Sequence, residues 1–487
     1  MDLNTRAILR IGGLLLILTG AVLAVPMLTA LYYREYDCAT AFFYVLAGCF
    51  AAGTFFRVFV QHSAEPLRKR DGFLIVAMAW LIMSLVGALP FTIQGCIPNY
   101  IDAFFETCSG FSTTGSSILT DVEAMPLSML FWRSLTHWIG GMGIIVLAAA
   151  VFPMLGIGGQ MIASNESPGP VFEKTTSKMQ DMARNLYVTY FIFTVIETIL
   201  LMFGGMSLYD ALVQTFGTVG TGGFSNYSDS IAHFNSAYIE WVIAIFMILS
   251  GANFNLYYIA FRNGPGIFKK NTEFRLYIFI IALFSILIAL YLRLDGTVND
   301  FGTAIRDAVF QVSSIITTTG FASTDFGKWP TFCVMMLFVL FFVGGCSSST
   351  GGGIKVSRVL VMLKLVKRNV YMVLHPNVMY NIKVDGRIVS RDIIQEIASF
   401  LFMYAMTFLC AALLISVDGF DMTTNITAAA TCIGNIGPGF GDVGPAGNFA
   451  AFSPFSKTVL SLLMLTGRLE LFTFLMLFSP RFWNPYK

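Results

Sequence analysis

Apolar stretches near 20 residues recur from one end of this chain to the other, and nothing else in the sequence constrains its fold as strongly. They fall at about 7–31, 39–60, 72–94, 129–153, 184–205, 236–260, 274–295, 331–352, 392–417 and 455–478. About 20 apolar residues in a helix match the roughly 30 Å hydrocarbon thickness of a bilayer. Only 12% of the 487 residues are charged and 56% are hydrophobic, whereas a soluble domain carries about 25% charge. Ten membrane spans are therefore expected. The first stretch is too long for a signal-peptide core, and no small-residue cleavage site follows it, so it reads as a retained span. A net charge of +2 gives no pull on nucleic acid or an acidic partner.

The connecting segments alternate in charge. One set carries Arg68, Lys69 and Arg70, then Lys174, Lys178 and Arg184, then Arg262, Lys269, Lys270 and Arg275, then the basic stretch 355–391. Arg6, Arg10, Arg481 and Lys487 fall on the same side. The opposite set is poor in Lys and Arg and holds Asp121, Glu123, Asp229, Asp325 and Asp442. Basic loops stay in the cytoplasm, which puts both termini there and agrees with an even number of spans. The eight cysteines have no CxxC pair and lie mostly in apolar segments, so they read as reduced core residues.

Each long outer loop contains an apolar segment too short to span, followed by Gly, Thr and Ser. The first runs Asp102-Ala-Phe-Phe-Glu-Thr-Cys-Ser-Gly-Phe-Ser-Thr-Thr-Gly115. The second runs Asp210-Ala-Leu-Val-Gln-Thr-Phe-Gly-Thr-Val-Gly-Thr-Gly-Gly223. The third runs Asp307-Ala-Val-Phe-Gln-Val-Ser-Ser-Ile-Ile-Thr-Thr-Thr-Gly320. These three align without a gap. A fourth, residues 424–437, ends in Gly434-Asn435-Ile436-Gly437 and lacks the leading Asp. The unit helix, half-helix, Gly loop, helix thus occurs four times after two extra helices, and repetition on this scale marks an architecture.

The arrangement suits a cation. A dehydrated potassium ion needs a ring of oxygens, and backbone carbonyls supply one without the grip of fixed negative charge. Gly allows the required backbone angles. Irregular backbone at membrane depth survives only inside protein or along an aqueous cavity. A half-helix entering from outside aims its partly negative C-terminal end at the pore. Asp102, Asp210 and Asp307 are expected to cap the half-helix N-termini.

These loops resemble the filters of the Trk/Ktr/HKT potassium transporter superfamily, and the two extra N-terminal helices resemble its bacterial TrkH branch. Further similar stretches are Asp71-Gly-Phe-Leu-Ile-Val, Trp138-Ile-Gly-Gly-Met-Gly-Ile-Ile-Val-Leu-Ala, residues 344–355, His375-Pro and Gly467-Arg-Leu-Glu470. The resemblance implies an all-α membrane protein with four helix–pore-loop–helix pseudo-repeats around one ion pore. Its parts would be 1–70 (two N-terminal helices), then pore repeats at 71–158, 159–265, 266–385 and 386–487. It also implies potassium uptake across the bacterial inner membrane, a homodimer, and a cytosolic nucleotide-binding regulator of the TrkA kind, with K+ as transported ion and no organic cofactor. The filter carbonyls would be Thr113, Thr114 and Gly115; Thr221, Gly222 and Gly223; Thr318, Thr319 and Gly320; and Asn435, Ile436 and Gly437. A rival register in the second loop, Thr218-Val-Gly-Thr-Gly222, looks like the potassium-channel signature. The gapless match to the third loop and the distance to Asp229 favour Gly223.

Residues 344–353, with Gly344, Gly345, Gly351, Gly352 and Gly353, interrupt the eighth stretch and read as a flexible loop closing the pore from below. Close helix packing through small residues is the plain alternative. A phosphate-binding loop is excluded because Gly-x4-Gly-Lys-Ser/Thr is not met. Arg468, inside the last stretch, reads as a cation below the filter that repels potassium or pairs with the glycine loop when the pore is closed, or else as the satisfied partner of Glu470 or another acid. Glu197 reads as a packing or proton-linked group, and Arg133 and His137 as structural residues or pore contacts. The basic stretch 355–391 carries topology charge or docks a cytosolic regulator. Proton- or sodium-coupled potassium symport is the second functional reading. A polytopic membrane enzyme is a remote third, because the four His (His62, His137, His233, His375) are scattered and no catalytic set is visible.

Overall fold

A computed structural model describes residues 3–61, 67–143, 179–375 and 381–483. His62, residues 144–153, Lys174, Lys178, Pro376 and Lys487, all used above, lie outside the described residues. Among those described, six helices are long and apolar enough to cross a membrane, or up to eight if two bent pairs count as spans. Continuous spans form at Thr5–Tyr32, Tyr36–Phe59, Lys69–Gln94, Met179–Phe203, Thr272–Leu294 and Arg391–Ile415. The first two pack through glycine. A Cβ on Gly13 would meet the Gly53 carbonyl at 2.9 Å, and one on Gly53 would meet the Gly13 carbonyl at 2.6 Å. Such backbone approach is how small residues hold helices together in lipid.

Three expected straight spans are not straight. The stretch 236–260 divides into Ala237–Gly251 and Phe254–Asn263, which meet at 89°. The break is stable because the Asn253 side chain accepts from the Asn255 N–H at 2.9 Å and starts the second helix. The stretch 455–478 divides into Pro454–Arg468 and a second helical piece at 118°, with Glu470 and Leu471 both at φ +55° between them. The stretch 331–352 is helical only over Thr331–Leu340, and the chain leaves the helix before its glycines begin. A short antiparallel ladder, Lys383–Val384 with Arg387–Ile388, is the one β element among the described residues.

Four half-helices occupy the centre: Tyr100–Phe111, Leu208–Val219, Phe301–Ile316 and Met422–Gly434. Their N-caps are Asn99, Ser207, Asp300 and Asp421, each accepting a backbone N–H with its side chain. The expected caps are thus corrected. Asp102 and Asp210 lie in the first turn, and Asp307 lies deeper in its helix. The fourth copy does begin with an acid, three residues before the aligned position. The Ala of each Asp-Ala pair (Ala103, Ala211, Ala308) is wholly buried, which explains its size. Six cysteines are buried, Cys96 is half-buried and Cys410 is exposed, and all eight are free thiols. Replacing Asp421 by Ala should lower thermal stability in detergent by about 0.5–2 kcal/mol, and Asp421→Asn should recover most of it. Equal melting of Asp421→Ala and wild type would count against the cap.

Candidate functional site

All four half-helices end on the same backbone motif. The residue two or more positions past each helix end, or its C-cap, turns left-handed: Thr113 (φ 55°), Thr221 (53°), Thr318 (58°) and Asn435 (54°). Two residues later a glycine does the same: Gly115 (85°), Gly223 (77°), Gly320 (85°) and Gly437 (107°). This spacing aligns Gly223, not Gly222, with the other three glycines. L-residues other than Asn and Asp visit this region at a cost, so three left-handed threonines need strong support from around them.

That support is mutual. A Cβ on Gly115 would stand closer than 3.0 Å to the Gly222 carbonyl oxygen. The same holds for Gly223 against Thr319, Gly320 against Ile436, and Gly437 against Thr114. Each glycine therefore backs onto the middle residue of the next loop, in the order one, two, three, four and back to one. The loops form a closed ring that only glycine permits at these four points. Hydroxyls brace it locally: Ser112 Oγ to Thr114 Oγ1 at 2.7 Å, and Thr317 Oγ1 to Thr319 Oγ1 at 2.8 Å. Between loops one and four, Ser116 Oγ donates to the Gly437 carbonyl at 2.9 Å, and Asn435 Nδ2 donates to Thr114 Oγ1 at 2.9 Å. The threonines of the ring, Asn435, Ile436 and Gly437 are buried, while Gly115, Gly223 and Gly320 are half-buried.

The chain leaving the ring is held by the residue four positions after each aligned Asp. Glu106 accepts from Ser117 Oγ at 3.0 Å and from the Ile118 N–H at 2.9 Å. Gln214 Nε2 donates to Ser225 Oγ at 2.9 Å and Asn226 Oδ1 at 2.7 Å. Gln311 Nε2 reaches Ser323 Oγ at 3.3 Å. Sequence reading missed these three, although Asp-Ala-x-x-Glu/Gln recurs in all three aligned loops. The fourth copy has Ala428 there. Thr427 substitutes, its Oγ1 accepting from the Phe440 N–H at 3.0 Å. Arg133 meets Glu106 at 2.5 Å, donates to the Ser225 carbonyl at 2.8 Å, and lies over the Phe224 ring at 3.6 Å. It is a bridge between loops one and two. His137 is likewise internal, with Nδ1 2.8 Å from the Gly110 carbonyl. In the connection after loop one, Glu123 lies below the ordinary carboxylate range. Its slight burial acts upward, but hydrogen bonds from the Ser228 side chain and backbone outweigh it.

The other face of the ring meets the glycine-rich segment 344–353. This segment is pinned from several sides. The Gly344 N–H donates to Ile354 at 2.8 Å, the Cys346 N–H to Gly251 at 2.8 Å, and the Ser347 N–H to Glu273 Oε1 at 2.6 Å. Thr350 Oγ1 donates to the Ser250 carbonyl at 3.2 Å, and the Gly352 N–H donates to Thr318 Oγ1 at 2.6 Å. The segment therefore runs from the helix after loop two to the ring itself. Arg468 reaches it as well. Nη1 donates to the Thr350 carbonyl at 2.7 Å and Nη2 to the Gly140 carbonyl at 2.6 Å. The alternative pairing with Glu470 is not what forms. Glu470 pairs with Arg358. Glu197 is fully buried on the span Met179–Phe203. No His/Cys/Asp/Glu cluster with metal-holding geometry occurs among the described residues.

The Glu106–Arg133 pair generates a stability test. Arg133→Leu strands a buried carboxylate and should cost about 3–5 kcal/mol in detergent unfolding. Glu106→Gln/Arg133→Leu, which leaves the amide that loops two and three already use, should melt well above the single variant. A double variant no more stable than Arg133→Leu would refute the bridge.

The chain matches the sequence profile described as TrkH, cation transport protein, over residues 39–484. It is 37% identical to the Trk system potassium uptake protein TrkH of Salmonella typhimurium, over 99% of this chain and 100% of that one. It is 34% identical to the Trk system potassium uptake protein TrkG of Escherichia coli, over 99% of each chain. The crystal structure of the potassium transporter TrkH from Vibrio parahaemolyticus superposes with a TM-score of 0.89 at 35% identity, covering 99% of this chain and 100% of that one. The chain is a membrane protein of the TrkH cation transport family.

Proposed function

We propose that this protein takes up potassium ions through the ring of four Gly loops, with Thr113 to Gly115, Thr221 to Gly223, Thr318 to Gly320 and Asn435 to Gly437 as the selectivity filter. The observation that carries the reading is the closed ring, in which each left-handed glycine backs onto a carbonyl of the next loop. Four half-helices point their C-terminal ends at that ring, and the field there favours a cation. Neutral carbonyls bind a monovalent ion firmly enough to dehydrate it and weakly enough to release it. The names of the related proteins agree with potassium as the ion.

The segment 344–353 and Arg468 form the gate. Bonds from Gly352 to Thr318 and from Arg468 to Thr350 support a closed position below the filter. The alternation of basic and acidic loops supports an inner-membrane protein with both termini in the cytoplasm. The division into repeats at 71–158, 159–265, 266–385 and 386–487 follows the same ring. Homodimerisation and a TrkA-like cytosolic regulator belong to this reading. The basic cytosolic helix Val356–Leu374, which continues directly from the gate segment, is the surface through which such a regulator would act.

Isotope flux into proteoliposomes tests the filter. Labelled rubidium uptake should be competed by potassium and rubidium more strongly than by sodium or lithium, and an imposed pH gradient measures coupling. Gly223→Ala should abolish uptake. Gly12→Ala, where a Cβ meets nothing within 4 Å, should leave it intact. Equal competition by all four cations would sink the filter assignment. For the gate, Arg468→Ala and deletion of residues 344–353 should each raise uptake by the folded protein. Unchanged uptake in both would remove the gate assignment and leave the filter standing.

A further inference from the structure

The gate segment does more than obstruct. Its Gly351–Gly352 peptide lies against four oxygen atoms of loops three and four. The Gly352 N–H donates to Thr318 Oγ1 at 2.6 Å. A Cβ on Gly351 would stand 2.8 Å from the Thr317 carbonyl oxygen, and one on Gly352 would stand 2.7 Å from the Gly434 carbonyl oxygen and 3.1 Å from Asn435 Oδ1. Thr317 and Gly434 end their half-helices, so their carbonyls are last-turn acceptors at the negative end of the helix dipole.

Asn435 is the informative member. It is fully buried. Its Nδ2 donates to the Met464 carbonyl, which only accepts, so the amide orientation is fixed. Oδ1 then faces the gate segment with no hydrogen-bond partner among the described residues. A buried acceptor left unpaired is costly, and such atoms call for an explanation. Opposite these oxygens the gate brings positive groups. Lys355 Nζ donates to the Gly351 carbonyl, and Arg468 Nη1 donates to the Thr350 carbonyl at 2.7 Å. Lys355 is itself buried. The closed segment thus presents an N–H to the oxygens and two cations behind it.

We propose that Thr318 Oγ1 and Asn435 Oδ1, with the carbonyls of Thr317 and Gly434, form an inner monovalent-cation site that the Gly351–Gly352 peptide occupies in the closed state. The inference rests on the filter reading for the route an ion takes to reach it. All four ligands are neutral oxygens, which suits potassium. A calcium-type site takes carboxylates, and none lies in this set. Loop and ion compete for the same oxygens. Gate closure and occupancy of the innermost site therefore exclude each other, and potassium itself favours opening.

Hydrogen exchange at residues 344–353 of the full chain in nanodiscs reads the competition directly. Potassium is titrated against N-methylglucamine at constant ionic strength, and exchange over Thr5–Tyr32 serves as the folding control. Exchange of the gate segment should speed up by a factor of one plus the ratio of potassium to its dissociation constant, or about tenfold at a tenfold excess. Thr318→Val, which removes one ligand and keeps the branched shape, should make exchange independent of potassium. Thr318→Ser should restore the dependence. Potassium-independent exchange in a wild-type protein that still carries rubidium would overturn the site. A protein that carries no rubidium yet shows the potassium-dependent exchange would keep the site and defeat the filter reading.

Discussion

The carbonyls at the ends of four half-helices have no partner within their own helices, and in a membrane they have no water. The remaining architecture answers that constraint. Each half-helix is followed by a left-handed residue that turns the chain sharply, and the segment after it packs against the next loop. The four glycines are the points of closest approach, and a side chain at any of them would push two loops apart. The position a side chain would take at each of these glycines is already filled by a carbonyl of the next loop, so backbone alone closes the ring. The helix ends and the loop carbonyls are brought together by one arrangement.

Neighbouring units are joined by different means at each seam. Between the first and second, Arg133 links Glu106 to the Ser225 carbonyl. Between the second and third, Arg306 pairs with Glu240 at 2.7 Å. Between the third and fourth, rings do the work, with Phe341 stacked on Phe440 at 5.3 Å and Phe326 edge-on to it. Between the fourth and first, Lys457 pairs with Asp102 at 2.7 Å. Buried ion pairs add little net stability over apolar contacts, but breaking one is expensive. Their value here is register. Four similar units that met through identical contacts would have no reason to assemble in one order.

Much of this was readable from the chain. Three loops align without a gap, and their shared glycines lie where the left-handed turns occur. The glycine-rich interruption is where the chain leaves its helix and reaches Thr318 of the third loop. Other readings were displaced by contacts distant in sequence. The aligned aspartates looked like caps because they stand near helix starts, yet Asn99, Ser207, Asp300 and Asp421 have the geometry that reaches the first free N–H groups. Asp102 is instead committed to Lys457, 355 positions away. Glu106, Gln214 and Gln311 were visible as a recurring position, but only the path of the outgoing strand shows what they hold. Arg468 was legible as an expensive charge and as a candidate partner of the glycine loop, but its bond to the Gly140 carbonyl was not, because Gly140 belongs to another unit.

Hydropathy, loop charge and the repeated Gly loops determine by themselves that this chain lives in a membrane, that it contains four related units, and which glycine of each loop turns left-handed. Those are local properties, set by residue type and spacing. The tertiary structure decided the order of the ring, the seams between units, the bends in three apolar stretches, and the contact between Gly352 and Thr318. Each of these depends on which acceptors remain unsatisfied once the helices have formed. That is settled by residues dozens or hundreds of positions apart competing for the same few carbonyls, and no periodicity in the sequence encodes the outcome.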